Sequence, residues 1–157
     1  MKFASLLVAT VLAVLTIVFS QVANRQNPSV QFRNSHDIKS PPGFSHAAVV
    51  TGGKLVFISG QVGRKGGEMV GDDFGAQADQ AFMNLKAVLT TAGATPRDLV
   101  KVNYYVVGLN AERLATLREV RGKFIDKTRP PTSTVAGVQA LAQEGALIEI
   151  EAVAVIP

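Results

Sequence analysis

Between Ser45 and Ile156 the apolar pattern switches back and forth between the strand period and the helix period, and this limits the fold more than any other feature. Ser45–Val50 and Lys54–Gln61 read as strands joined by Gly52-Gly53, a two-residue connection of the kind that closes a β-hairpin. The glycine-rich segment Gly63–Asp73 reads as a loop. From Gly75 to Ala92 the residues Ala78, Ala81, Phe82, Leu85, Val88, Leu89 and Ala92 recur at helical spacing, and Gly93 stops the run. Leu99–Val107 returns to strand character through β-branched and aromatic side chains. Asn110 is placed to cap a second helix that runs to about Lys127, with Leu114, Leu117, Arg121, Phe124 and Ile125 on one side. Pro130-Pro131 forces an extended break, and Thr132–Val138 and Leu147–Ile156 follow as strands. The order β-β-α-β-α-β-β predicts an α+β domain, with two helices packed on one face of a mixed sheet.

The front of the chain has another character. Fifteen of the first twenty residues are hydrophobic, and the apolar run from Phe3 to Phe19 follows the short basic start Met1-Lys2. That is the pattern of a secretory signal, with Ser20 a suitable small residue before a cut. The same run also reaches the lower length limit of a membrane anchor. Either reading makes the remaining chain periplasmic or secreted, and contact with a membrane is expected only if the segment is uncleaved. Residues 21–42 are polar and proline-containing, and read as a linker with a short edge strand near Ser29–Phe32; residues 43–157 form the domain.

Composition removes several chemistries. With no cysteine among 157 residues, a disulfide framework, a thiolate zinc site and a cysteine nucleophile are all excluded. A formal charge of +4, scattered along the chain, marks no dedicated nucleic-acid surface. No dinucleotide fingerprint or P-loop is present, so no cofactor is expected. His36 and His46 lack metal-ligand spacing, so no metal is expected either, and His46 reads as a hydrogen-bonding residue of a strand. The last strand is the informative one. Its alternation puts Glu149 and Glu151 on one side and Ile148 and Ile150 on the other. Two glutamates so placed form either a solvated outer face or a carboxylate site for proton transfer and water orientation. The pattern leaves both open.

Several segments in sequence carry a resemblance: Phe57-Ile58-Ser59-Gly60-Gln61, Ala76-Gln77 with Asn84-Leu85, Ala92-Gly93, Leu99-Val100-Lys101-Val102, Phe124, Pro130-Pro131 and Ile148-Glu149-Ile150-Glu151-Ala152. In that order and spacing the chain resembles the Rid (YjgF-type) family of reactive-intermediate deaminases from about Gly43 to Ile156. The resemblance implies a chorismate-mutase-like fold and a homotrimer with ligand clefts between subunits. It also implies cofactor-free hydrolysis of enamine and imine intermediates. Carried over position by position, it makes Glu149 the carboxylate that positions the hydrolytic water, and Ser59 and Gly60 the cleft-lining strand. Phe44 stands where the archetype has tyrosine, and Thr134 where many members have cysteine. Arg118 falls near an asparagine that contacts ligand, or is simply a solvated helix residue.

Thr132 is the main departure, since active deaminases carry there an arginine that clamps the substrate carboxylate. A guanidinium offers two parallel charge-assisted hydrogen bonds, against one neutral donor from a threonine. Arg129, three residues earlier, falls on the opposite face of an extended strand. The expected protein is therefore an exported family member. It binds a small metabolite in inter-subunit clefts, with weak or altered imine/enamine hydrolase activity. The alternative is a non-enzymatic periplasmic binding or chaperone-like trimer.

Overall fold

The computed structural model describes residues 28–157; the expected signal segment 1–20 and the start of the linker lie outside the described residues. The strands are β1 (Ser29–Arg33), β2 (Ala47–Thr51), β3 (Lys54–Val62), β4 (Arg64–Lys65), β5 (Glu68–Met69), β6 (Leu99–Val107), β7 (Thr132–Val138) and β8 (Ile148–Ile156). The helices are α1 (Phe74–Thr91) and α2 (Ala111–Arg121). The main sheet has the order β3-β8-β6-β7. β8 runs antiparallel to both β3 and β6, and β6 runs parallel to β7. This is the expected α+β arrangement, a mixed sheet with two helices packed against it.

Both helices start where side-chain oxygens can satisfy the free amides of the first turn. Asp73 accepts from the Ala76 amide at 2.7 Å, and Asn110 accepts from the Arg113 amide at 2.8 Å. Gly93 follows α1 with φ +74, a left-handed conformation that suits glycine, and terminates it. The apolar stripe of α1 buries Ala78, Ala81, Phe82, Leu85 and Leu89 against Ile148, Ile150, Ala152 and Ala154 of β8 and against Val102, Tyr104 and Val106 of β6. The Phe82 ring stacks on Phe124 at 4.9 Å and meets Tyr104 at 5.9 Å. Each large side chain buried here contributes about 1.5–3 kcal/mol.

Buried polar groups of α1 tie loops to this core. Gln77 is fully buried; its amide donates to the Gly71 carbonyl at 2.7 Å and the Gly145 carbonyl at 2.9 Å, and its oxygen accepts from the Leu147 amide at 2.8 Å. Asn84 donates to the carbonyls of Val62 at 2.9 Å and Arg64 at 2.8 Å.

Three local expectations need correction. The strands flanking Gly52-Gly53 do not form a hairpin with each other: β2 pairs with β1 and β3 with β8. Both glycines do turn the chain, at φ +72 and +80, but two longer-range ladders take the strands that the turn separates. The first of those partners is the strand expected near Ser29–Phe32. The second helix ends at Arg121, not near Lys127. Gly122 follows, and tight turns take the chain on to Ile125, bringing Phe124 over Phe82. Finally, Gly63–Asp73 is not wholly loop, because β4 and β5 pair within it.

Candidate functional site

The alternation of β8 and β6 divides the sheet into a face covered by the helices and an open face. Glu149, Glu151 and Val153 of β8 stand on the open face beside Lys101, Asn103 and Tyr105 of β6. At one edge of this face the β3–β8 ladder contains a bulge. Ile58 pairs with Ala152 and Gln61 with Ile150, so Ser59 and Gly60 together oppose Glu151 alone. A bulge of this kind re-aims the chain locally and recurs beside active sites. The Glu149 carboxylate lies directly against Gly60, and a Cβ at that position would run into it. Glycine is the residue that permits this approach. The structure thus brings Gly60 and Glu149 together, while Ser59, next to Gly60 in the bulge, shares a hollow with Glu151.

Glu151 is the centre of a second polar group. One of its carboxylate oxygens accepts from the Asn103 amide at 2.6 Å and from the Tyr105 hydroxyl at 2.9 Å. The hydrogen bond from Asn103, followed by that from Tyr105, holds the Glu151 carboxyl below the usual carboxylate range. In turn the bond to Glu151 raises the Tyr105 phenol. The side-chain oxygen of Asn103, Oδ1, is buried with no partner among the described residues. The sequence reading overlooked Lys101, Asn103 and Tyr105 as site residues. Their signal was the parity of β6, which sets these three residues against buried Val102, Tyr104 and Val106.

Two shallow hollows occupy the open face. One, of about 360 Å³, is lined by Phe57, Ser59, Lys101, Asn103, Glu151 and Val153, among others. The other, of about 340 Å³, includes Phe44, His46, Lys101, Thr132 and Thr134. Lys101 belongs to both. The parallel register sets Lys101 beside Thr132 and Asn103 beside Thr134. The Thr132 hydroxyl donates to the Val100 carbonyl at 2.9 Å and so already has a backbone partner. Ser45 fixes the neighbouring segment, donating from its hydroxyl to the Pro130 carbonyl at 2.7 Å and from its amide to the Pro131 carbonyl at 3.1 Å. Phe44 is thereby held beside Thr132. His46 accepts at Nδ1 from the Ser35 amide at 3.1 Å, while its own amide donates to Asn34 at 2.9 Å.

Within one chain the predicted site residues fall into three places. Ser59, Gly60 and Glu149 cluster at the β3–β8 edge. Phe44, Thr132 and Thr134 cluster at β7, with β6 between them and β8. Two strand spacings separate β8 from β7 by about 10 Å, and the register adds to this, because Thr132 and Thr134 are level with Val153 and Glu151 rather than with Glu149. Arg118 belongs to neither cluster of strand residues: it sits on α2, lining a cleft with Arg121 on the helix side that reaches Phe44. Arg129 stands over the Phe32 ring at 5.8 Å.

Comparison with known proteins identifies the family. Residues 35–156 match the family model described as Endoribonuclease L-PSP. A 2-iminobutanoate/2-iminopropanoate deaminase of Dermatophagoides farinae is 36% identical over 71% of this chain and 85% of its own length. The RutC family protein YjgH of Escherichia coli is 32% identical over 71% of this chain and 83% of its own. Among solved structures, a Rid-family protein of unknown function from Yersinia pestis superposes with a TM-score of 0.76 at 40% identity, covering 81% of this chain and 98% of that one. Escherichia coli TdcF, solved with bound serine, superposes at 0.58 with 31% identity, covering 66% and 81%. With its fold, its bulged β3 and its paired-glutamate β8, the chain belongs to the Endoribonuclease L-PSP family, that of the YjgF/Rid proteins.

Proposed function

We propose that this chain is an exported Rid-family protein that binds a small metabolite in clefts between the subunits of a homotrimer, and that it hydrolyses imines or enamines with weak or altered activity. One observation carries the reading: the Glu149 carboxylate lies over Gly60 beside the Ser59–Gly60 bulge, on a face that neither α1 nor α2 covers. A carboxylate so placed can accept a proton from a water and aim it at an electrophilic imine carbon, and the nitrogen leaves as ammonia after protonation. Ser59 and Gly60 line this half of the cleft. Phe44, Thr132 and Thr134 line the other half and meet the ligand's polar end. Since these halves stand more than about 10 Å apart in one chain, two strands across and offset along them, the reading joins Glu149 of one subunit to Thr132 and Thr134 of the next. The exposed side chains of Leu55 and Phe57, 57% and 76% accessible, support burial of this face against another copy. The names of the Dermatophagoides relative and of serine-bound TdcF favour a small amino-acid-derived ligand over RNA. No cofactor takes part. The apolar start of the chain supports a periplasmic or secreted location.

A second reading, a non-enzymatic binding or chaperone-like trimer, is favoured by Thr132. Its hydroxyl is engaged with the Val100 carbonyl, and it has no charge with which to hold a carboxylate. The two readings part on freshly generated 2-aminoacrylate. Slow turnover above the spontaneous rate, increased by Thr132→Arg, is expected. Absence of turnover in both proteins would overturn the hydrolase reading and leave the second. Light scattering should give the mass of three chains, and mass spectrometry of the mature protein should find a start after Ser20.

A further inference from the structure

Away from the open face, the basic side chains around α2 sort into two groups. Arg97 pairs with Asp126 at 3.2 Å and Lys123 with Asp79 at 3.9 Å. Arg113 donates to the Val107 carbonyl and lies over the Phe74 ring at 5.3 Å, while Arg129 is over Phe32. Arg118, Arg121 and Lys127 have no carboxylate partner among the described residues, and all three line one cleft, between the end of α2 and the Pro42–Gly43 segment. That cleft measures about 390 Å³. Past Arg118 and Arg121 it continues into a hollow of about 260 Å³ that reaches Phe44 and Ser133. No carboxylate lines either part.

The arrangement is built rather than incidental. Spacing of three residues puts Arg118 and Arg121 on the same side of the helix, where like charges repel. Arg121 is held on two sides. Its guanidinium lies against Gly43, which turns away at φ +81 and has no room for a Cβ, and it stands beside the buried Tyr104 hydroxyl. Favourable interaction with the helix C-terminus explains a cation in the last turn. It does not explain three cations without a carboxylate partner converging on a concave space of ligand size.

We propose that this cleft is a binding site for a small oxyanion, a carboxylate or phosphate group. The Arg118 and Arg121 guanidinium forks grip it, with Lys127 at the mouth and the Ser133 hydroxyl at the inner end. Planar guanidinium groups match both oxyanions bidentately. The site lies on the α2 side of β7, meets the proposed ligand cleft only at Phe44, and does not require that Glu149 hydrolyse a substrate.

The test is calorimetric titration of the purified chain with inorganic phosphate and, separately, with acetate, at an ionic strength held constant with sodium chloride. Saturable binding of at least one anion is expected. Phosphate alone would identify a phosphate-bearing ligand; acetate, alone or as well, would identify a carboxylate. Arg118→Gln and Arg121→Gln should each weaken binding by about tenfold or more. Lys127→Glu should weaken it less, and Glu149→Ala should leave it unchanged. If Arg121→Gln does not fold, because of its contact with Tyr104, the exposed Arg118 and Lys127 variants decide. Failure of both anions to saturate the wild type would overturn the proposal, as would affinity unchanged in the cleft variants.

Discussion

The two faces of the main sheet are made from the same strands but do opposite things. On the covered face, Ile148, Ile150, Val102, Tyr104 and Val106 are buried by α1 and α2. On the open face, one residue away along each strand, stand Glu149, Glu151, Lys101, Asn103 and Tyr105, with Phe57 left largely exposed. The period-two geometry of a strand makes this possible: it lets one segment satisfy a core and a site without compromise between them. Substitutions should therefore separate cleanly, costing folding on one face and function on the other.

The largest effect on stability belongs to the covered face. Phe82→Ala removes a ring packed between Phe124 and Tyr104 and should cost about 3–5 kcal/mol in denaturant unfolding. A loss below about 1 kcal/mol would break the comparison, because it would mean that the covered face is not the core. Gly60→Ala, on the open side, is expected to cost less, about 1–3 kcal/mol, by forcing the Glu149 carboxylate aside. It should still abolish whatever turnover the wild type has.

Glu151 gives a pH-dependent sharpening. Its folded-state carboxyl is held low by Asn103 and Tyr105. Its charged form therefore stabilises the fold above the ordinary glutamate range, and that contribution is lost as pH falls through the lowered folded value. The stability difference between wild type and Glu151→Gln should thus shrink on acidification below the ordinary glutamate range. A difference constant with pH would remove the hydrogen-bonded carboxylate from the account. Phe57→Lys should do least to subunit folding, within about 0.5 kcal/mol for an exposed side chain. It should nonetheless reduce the mass seen by light scattering to that of one chain. An unchanged mass would show that assembly does not use this face.

Much of this was legible in the sequence because hydrophobic period is a local signal. The helical stripe of Gly75–Ala92 and the alternation of Ile148–Ile156 each state which side faces the core, and the Asn110 cap was readable before the second helix, whereas Asp73, read as the end of a loop, caps the first. What stayed hidden depends on long-range competition. Gly52-Gly53 proposed a hairpin, but β2 found β1 and β3 found β8. The end of α2 was set by Phe124 stacking on Phe82, a contact between distant segments. At the site, Glu149, Ser59 and Gly60 could be named in advance, but the bulge that joins them could not, because it exists only in the β3–β8 register. Asn103 and Tyr105 were visible as strand residues, yet their partner, Glu151, lies 48 and 46 residues away.

The central claim is that the open face works through Glu149. It is tested most directly by the initial rate of hydrolysis of freshly generated 2-iminopropanoate by wild type and by Glu149→Gln, at equal concentrations and with the spontaneous rate subtracted. The account predicts a measurable wild-type rate that falls by about 100-fold or more in the variant, the scale of a lost general base. A variant as active as the wild type would contradict it.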